Sequence, residues 1–235
     1  MITYSNQTRI LVAIDCIIFG FDGEQLKILL IKRSFQPEKG KWSLMGGFVA
    51  PDEGISQAAE RILTELTGLH DVYLEQLQSY GDPDRDPIER VVSVAYFALI
   101  DINKYQTQIS NRYQAEWIPI NEAPALIFDH DLMVKDAKKR IRYKAALHPI
   151  LFELLPLKFT IPQLQNLYEQ VYQTPIDNRN FIRKVNSTDL LIKTLEKDKS
   201  GSRKGAFYYK LNKTKYKAKF QSFLNFIPNP ESLIN

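Results

Sequence analysis

Between Gly47 and Leu69 the chain spaces a few charged side chains in the run Gly47-x5-Glu53-x7-Arg61-x-Leu63-x-Glu65-x-x-Gly68-Leu69. Carboxylates are the side chains that a hard divalent cation takes as ligands, and it needs several oxygens. Asp82, Asp84, Asp86 and Glu89 follow closely and leave open a ligand set recruited from elsewhere. Other polar residues interrupt apolar surroundings. Asp15 sits inside Ile10–Phe19, Arg33 ends the next apolar run, and Trp42 and Ser43 lead into Gly47. A small-ligand site needs convergent hydrogen-bonding groups on an apolar cleft, often with an aromatic wall. Asp15, Arg33, Trp42, Ser43 and Glu65 are the candidates, and each also admits a structural role. His130, in Phe128-Asp129-His130-Asp131, reads as a helix-entry contact.

A second constellation lies towards the C-terminus. On a helical wheel of residues 178–187, Phe181, Ile182 and Val185 fall together and would face a core. Arg179, Asn180, Arg183 and Ser187 fall opposite, with Lys184 beside them, and such side chains read base edges and hold phosphates. Arg203 and Lys204 lie in the polar turn Ser200-Gly-Ser-Arg-Lys-Gly205, between apolar runs at 190–195 and 206–211. A basic hairpin tip there suits backbone phosphates or a minor groove, and Lys210, Lys213, Lys215, Lys217 and Lys219 continue the positive field. The net charge of +4 is unevenly divided: residues 1–157 carry −4 and residues 158–225 carry +9. That asymmetry fits a polyanion-binding module, or a solvated basic face.

These residues need elements to position them. Residues 9–19, 26–31, 42–49 (broken at Gly46-Gly47), 72–80, 90–100 and 115–118 read as strands by β-branched content, flanking turns and a stopping Pro119. From Pro51 to Thr67 the pattern is helical, with Pro51-Asp52-Glu53 suited to the first turn and Gly68 to the end. Asp131–Leu147 reads as a further helix. Thr160 caps another with Gln163 completing a capping box, Phe159 and Leu164 form its hydrophobic staple, and Asp177 caps a second helix after the Thr174-Pro175-Ile176 turn. Two short helices and a brief turn make a helix-turn-helix, and the basic hairpin makes it winged.

The Gly47–Leu69 run, with Lys41-Trp-Ser-Leu-Met-Gly-Gly47 before it, resembles the Nudix box. The resemblance implies a mixed sheet sandwiched between helices, a Mg²⁺ site made by glutamates on the box helix, and cleavage of nucleoside diphosphates. Two of the three metal-binding glutamates of the family are Ile62 and Leu66 here, so no metal, no cofactor and no catalytic residue is expected. Glu53 and Arg61 remain, and the family implies that they brace the box loop. Together with the helix-turn-helix, the chain resembles Nudix-related transcriptional regulators. Tyr80-Gly-Asp-Pro-Asp-Arg-Asp-Pro87, Phe128-Asp-His130, Phe159–Leu164 and Asp177–Phe181 look like signatures of that family.

The expected fold is α+β, with a Nudix-like effector-sensing domain over 1–150 and a winged-helix DNA-binding domain over 151–235. By overall likeness the chain most resembles the L-arabinose-responsive regulators, which implies a repressor of carbohydrate catabolism responsive to a sugar such as L-arabinose. The alternatives are an ADP-ribose sensor controlling NAD metabolism, a Mg²⁺-dependent hydrolase, and an RNA- or protein-binding adaptor. The expected partners are palindromic double-stranded operator DNA, a small-molecule effector (sugar or ADP-ribose) and a second copy of the chain. One cysteine excludes an internal disulfide. No apolar stretch approaches the roughly 18 residues of a membrane span, and a cytoplasmic protein is expected.

Overall fold

The computed structural model describes residues 6–105, 115–200 and 203–218. A seven-stranded mixed sheet occupies the first part of the chain, with the path β3(Trp42–Ser43), β2(Leu26–Lys32), β1(Leu11–Phe21), β6(Val91–Asp101), β5(Tyr73–Tyr80). β4(Met45–Phe48) pairs with β1, and β7(Glu116–Pro119) with β2. The β1–β6 pair alone is parallel among these, running from Leu11↔Val91 to Phe21↔Asp101. Period-two alternation decides what each face does. Ile14, Cys16 and Ile18 of β1 pack with α1(Ile55–Thr67), through Ala58, Ala59, Ile62 and Leu63. Ile17, Phe19 and Phe21 pack with α3(His130–Leu147), through Met133, Ala137 and Ile141. Helices therefore cover both faces, as the resemblance implies. Asp15 and Ser93 share the odd register of the α3 face, so their polar groups meet under its N-terminus.

Several boundaries differ from the sequence pattern. Pro51-Asp52-Glu53 forms a turn, and α1 starts one residue beyond Gly54, whose N–H donates to Gln57 Oε1 (2.8 Å). Glu53 is held back because its carboxylate turns to accept from the Ala50 amide (2.8 Å). Gly46 and Gly47 lie within β4, and the strand breaks at Leu44. A Cβ at Gly46 would stand 2.4 Å from Asp15 Oδ1, so this close approach of β4 to β1 requires glycine. Pro119 ends β7 from inside it, and α3 begins at His130.

The second part of the chain follows a 3-10 segment, Ile150–Leu154. α4(Ile161–Tyr172) starts from Thr160, whose side chain accepts from Gln163 N while Gln163 Oε1 accepts from Thr160 N. α5(Asn178–Ser187) starts from Asp177, which accepts from Asn180 N at 2.8 Å. A three-stranded sheet completes the wing in the order β8(Phe159–Thr160), β10(Ala206–Leu211), β9(Leu191–Asp198). α6(Lys213–Ala218) closes the described region. Gly201, Ser202 and Lys219 lie outside the described residues. One expectation is corrected here. Ile182 does not join Phe181 and Val185 in the core but is 36% exposed, because the wheel places it at the edge of that narrow strip. The buried residues of α4 and α5 belong to the same apolar cluster as Phe19, Met133 and Ile141, so one core runs through both parts of the chain.

Candidate functional site

Where β1, β4 and the start of α3 converge, a cleft of about 660 Å³ opens. At its base Asp15 Oδ2 accepts from Ser93 Oγ (2.6 Å) and from Arg85 Nη2 (3.4 Å). Arg85 also grips Asp129 with two bonds, Nε to Oδ2 (2.9 Å) and Nη2 to Oδ1 (2.8 Å). A buried charge needs such partners. Burial opposes the Arg85 charge, but the Asp129 bonds and the field of Asp15 outweigh it and its pKa is raised. His130 Nδ1 accepts from the Leu44 amide (3.2 Å), so in the neutral ring the proton lies on Nε2, which faces Asp15 Oδ1 at 3.5 Å. Burial lowers the His130 pKa against the pull of Asp15 and Asp129.

The mouth of the cleft is cationic and aromatic. The Arg33 guanidinium lies 4.0 Å from the centre of the Phe35 ring and 5.4 Å from that of Phe128. Its Nε is buried with no hydrogen-bond partner among the described residues. Burial lowers the Arg33 pKa, opposed by Asp86, Asp15 and Glu38. Phe128 holds φ at 53°, a region that bulky residues rarely adopt. Its ring also meets His130 edge-on, with centroids 5.7 Å apart. Lys39 and Asp86 line the same opening.

The box helix forms one wall. Arg61 donates from Nε to Glu53 Oε2 (2.9 Å), from Nη2 to Glu53 Oε1 (2.5 Å) and to the Phe48 carbonyl (3.1 Å). Arg61, joined by the Ala50 amide, holds the Glu53 pKa down to about 2. These bonds fasten the loop to the helix. Ile62 is 2% exposed and packs against the Gly47 backbone: a Cβ built there would lie 3.1 Å from Ile62 Cδ1. Leu66 lines the cleft, while Glu65 is exposed and paired with Arg61 at 3.1 Å. Alkyl groups thus fill the positions that a cation's oxygen ligands would need. With Glu65 turned to Arg61 and alkyl side chains at 62 and 66, the box helix does not present the oxygen ligands that a Mg²⁺ ion on it would need. Of the acidic residues after Tyr80, Asp86 alone reaches the cleft.

Of the five sequence candidates, the fold brings Asp15, Arg33 and Ser43 to the cleft and leaves two outside its lining. Trp42 packs against the core under the Lys32 ammonium (4.8 Å), and Glu65 points to Arg61. Sequence reasoning missed Arg85, Phe35, Lys39 and Phe128 as cleft residues, named Asp86 only as a possible metal ligand, and read His130 only as a helix-entry contact. Arg85, Asp86, Phe128 and His130 lay in the segments 80–87 and 128–130, which carried the resemblance without any assigned role, while Phe35 and Lys39 had no signal.

In the second part, Arg179, Asn180, Arg183 and Ser187 are exposed on α5, and Lys184 is half-buried. Arg183 Nη2 donates to Asn180 Oδ1 (2.7 Å), which sets its direction along the helix face. Ser187 donates to the Lys184 carbonyl (2.8 Å). Arg203 and Lys204 are exposed at the hairpin tip. Lys193 and Lys197, not singled out in the sequence, both set their ammonium groups over Phe207, at 3.7 and 4.4 Å. The hairpin is therefore basic along its length as well as at its tip.

Residues 9–141 match the family model described as NUDIX domain, and residues 151–211 that described as NrtR DNA-binding winged helix domain. The chain is 36% identical over 202 residues to the "ADPR responsive transcriptional repressor NtrR" of Acinetobacter baylyi, covering 84% of this chain and 81% of that one. The crystal structure of Shewanella oneidensis NrtR complexed with a 27mer DNA superposes with a TM-score of 0.77 at 33% identity, covering 88% of this chain and 95% of that one. The NUDIX domain of the same protein, complexed with ADP ribose, matches with a TM-score of 0.53 at 33% identity, over 60% of this chain and 94% of that one.

These relatives overturn the assignment to L-arabinose-responsive regulators of carbohydrate catabolism. The physical reason accords with them. A pentose is small and uncharged, and leaves the positive charge of Arg33 and Lys39 and most of the cleft volume without a counterpart. The chain belongs to the family in which a NUDIX domain is followed by an NrtR-type winged helix domain.

Proposed function

We propose that the protein is an ADP-ribose-responsive, DNA-binding transcriptional repressor whose Nudix cleft binds its effector without hydrolysing it. The observation that carries the reading is a cationic, aromatic-walled cleft beside a box helix whose Ile62 packs against Gly47. Arg33 and Lys39 suit a diphosphate, Phe35 and Phe128 suit the flat face of a base, and Asp15 and Ser43 suit ribose hydroxyls. Without carboxylates at 62 and 66 the chain lacks the means to bring a metal to the diphosphate. ADP-ribose is NAD without its nicotinamide, so the regulated genes belong to NAD metabolism. The names of the relatives support the same effector and a DNA partner.

The division near residue 150, with sensing before and DNA binding after, is supported by the two matched segments. Arg179, Asn180, Arg183, Lys184 and Ser187 form the major-groove face, while Arg203 and Lys204 meet phosphates. One helix of ten residues covers too little DNA for operator-level specificity, so a homodimer on a palindromic site is part of the proposal. Calorimetric titration of the full chain tests the effector: ADP-ribose binds and L-arabinose does not. Absence of ADP-ribose binding would contradict the reading, and light scattering showing a monomer on DNA would contradict the dimer.

A further inference from the structure

In α5 the buried side chains are Phe181 and Val185, one turn apart. The other positions from Asn178 to Ser187, apart from half-buried Lys184, are exposed, and Ile182 is the only apolar residue among them. Steps of about 100° put Ile182 on the border of the outward face, three residues after Arg179 and four before Asn186. An exposed isoleucine needs no special explanation on an ordinary helix. On a helix whose remaining exposed side chains are all hydrogen-bonding, and whose module carries the excess positive charge, it is a feature with one apolar counterpart. Base edges in a major groove present donors and acceptors, and a single apolar group, the C5 methyl of thymine.

We infer that Ile182 is a base-specificity residue, packing on a thymine methyl next to the positions read by the Arg179–Arg183 face. The inference rests on the DNA-binding function proposed above. Its selectivity comes from apolar surface withdrawn from water, and one methyl-sized group is worth about fourfold in affinity per half-site. Arg203 and Lys204, at the hairpin tip, meet the sugar-phosphate backbone and are indifferent to that methyl.

The probe is a duplex selected by the full-length protein from a random-sequence pool. Each thymine in it is replaced in turn by deoxyuridine, which keeps every hydrogen-bonding group and lacks only the methyl. At one position per half-site the replacement weakens wild-type binding about fourfold. Ile182→Ala binds the thymine and uracil probes equally, Ile182→Val keeps part of the difference, and Arg203→Ala keeps all of it. Wild-type binding indifferent to every replacement would overturn the inference, as would an Ile182→Ala variant still sensitive to the methyl. A pool that yields no enriched sequence overturns the DNA-binding function as well, whereas an enriched sequence blind to deoxyuridine overturns the inference alone.

Discussion

Ile62 and Gly47 mark the point where the fold closed around an apolar contact. The isoleucine is buried against the box backbone, so Ile62→Glu forces a carboxylate into a space with no partner. Urea unfolding is expected to show a loss of about 3 kcal/mol, and less for Leu66→Glu, which is only half-buried. An unchanged midpoint for Ile62→Glu would mean that the packing around Gly47 yields easily. His130 makes a second residue-level case. Its folded pKa lies below the ordinary 6.5, so as pH falls through that range the unfolded chain takes up a proton that the folded chain refuses. Stability is therefore lost on acidification, and the slope from about pH 7 to pH 5 is shallower in His130→Asn. Equal slopes would remove His130 from the account. Asp15 was visible in the sequence as a charge within an apolar strand. Its partners were not, because Arg85 is 70 residues away in the chain and His130 still farther, and only the sheet register and α3 bring them together.

α3 carries the cleft's polar corner at one end and the winged helix at the other. His130 opens it, and near its far end Arg142 donates to the Val171 carbonyl and to Gln173 Oε1, both at 2.7 Å. Gln170 of α4 meanwhile accepts from Leu26 N and donates to the Glu24 carbonyl, both at 2.7 Å, at the β1–β2 turn. Neither joint has a sequence signature, since each depends on side chains crossing more than 25 residues. The elements themselves were legible where capping chemistry marks them, at Thr160 and Asp177. They were misread where a side chain acted tertiarily: Glu53 looked like a first-turn residue but turns towards Arg61. The hairpin offers a test at this scale. Gly205 has φ of 68°, and a Cβ there would lie 2.6 Å from the Asp198 carbonyl. Gly205→Ala is expected to cost about 1–2 kcal/mol locally and to weaken binding to all duplexes alike, with ADP-ribose affinity unchanged. Loss of ADP-ribose binding in this variant would show that the wing does more than hold DNA.

For the molecule as a whole, an apolar cluster running from Phe19 through Ile141 to Tyr168 and Phe181 means that the two parts are not beads on a string. The sequence divides the chain near residue 150, where the charge changes sign, and such averages do not report which side chains pack across the boundary. If the cleft and the α5 face have the proposed roles, a shared core gives occupancy of one a route to the other, and linkage requires the coupling to be reciprocal. The proposed sensor binds ADP-ribose, leaves it whole and thereby alters DNA affinity. The most direct measurement is fluorescence anisotropy of the protein on a selected duplex, titrated with ADP-ribose in the presence of Mg²⁺, with the nucleotide recovered and chromatographed afterwards. The account predicts that ADP-ribose shifts the DNA affinity, that L-arabinose does not, and that the ADP-ribose comes back intact. AMP and ribose phosphate formed at enzymatic rates, on the order of 1 s⁻¹, or a DNA affinity indifferent to ADP-ribose, would contradict it.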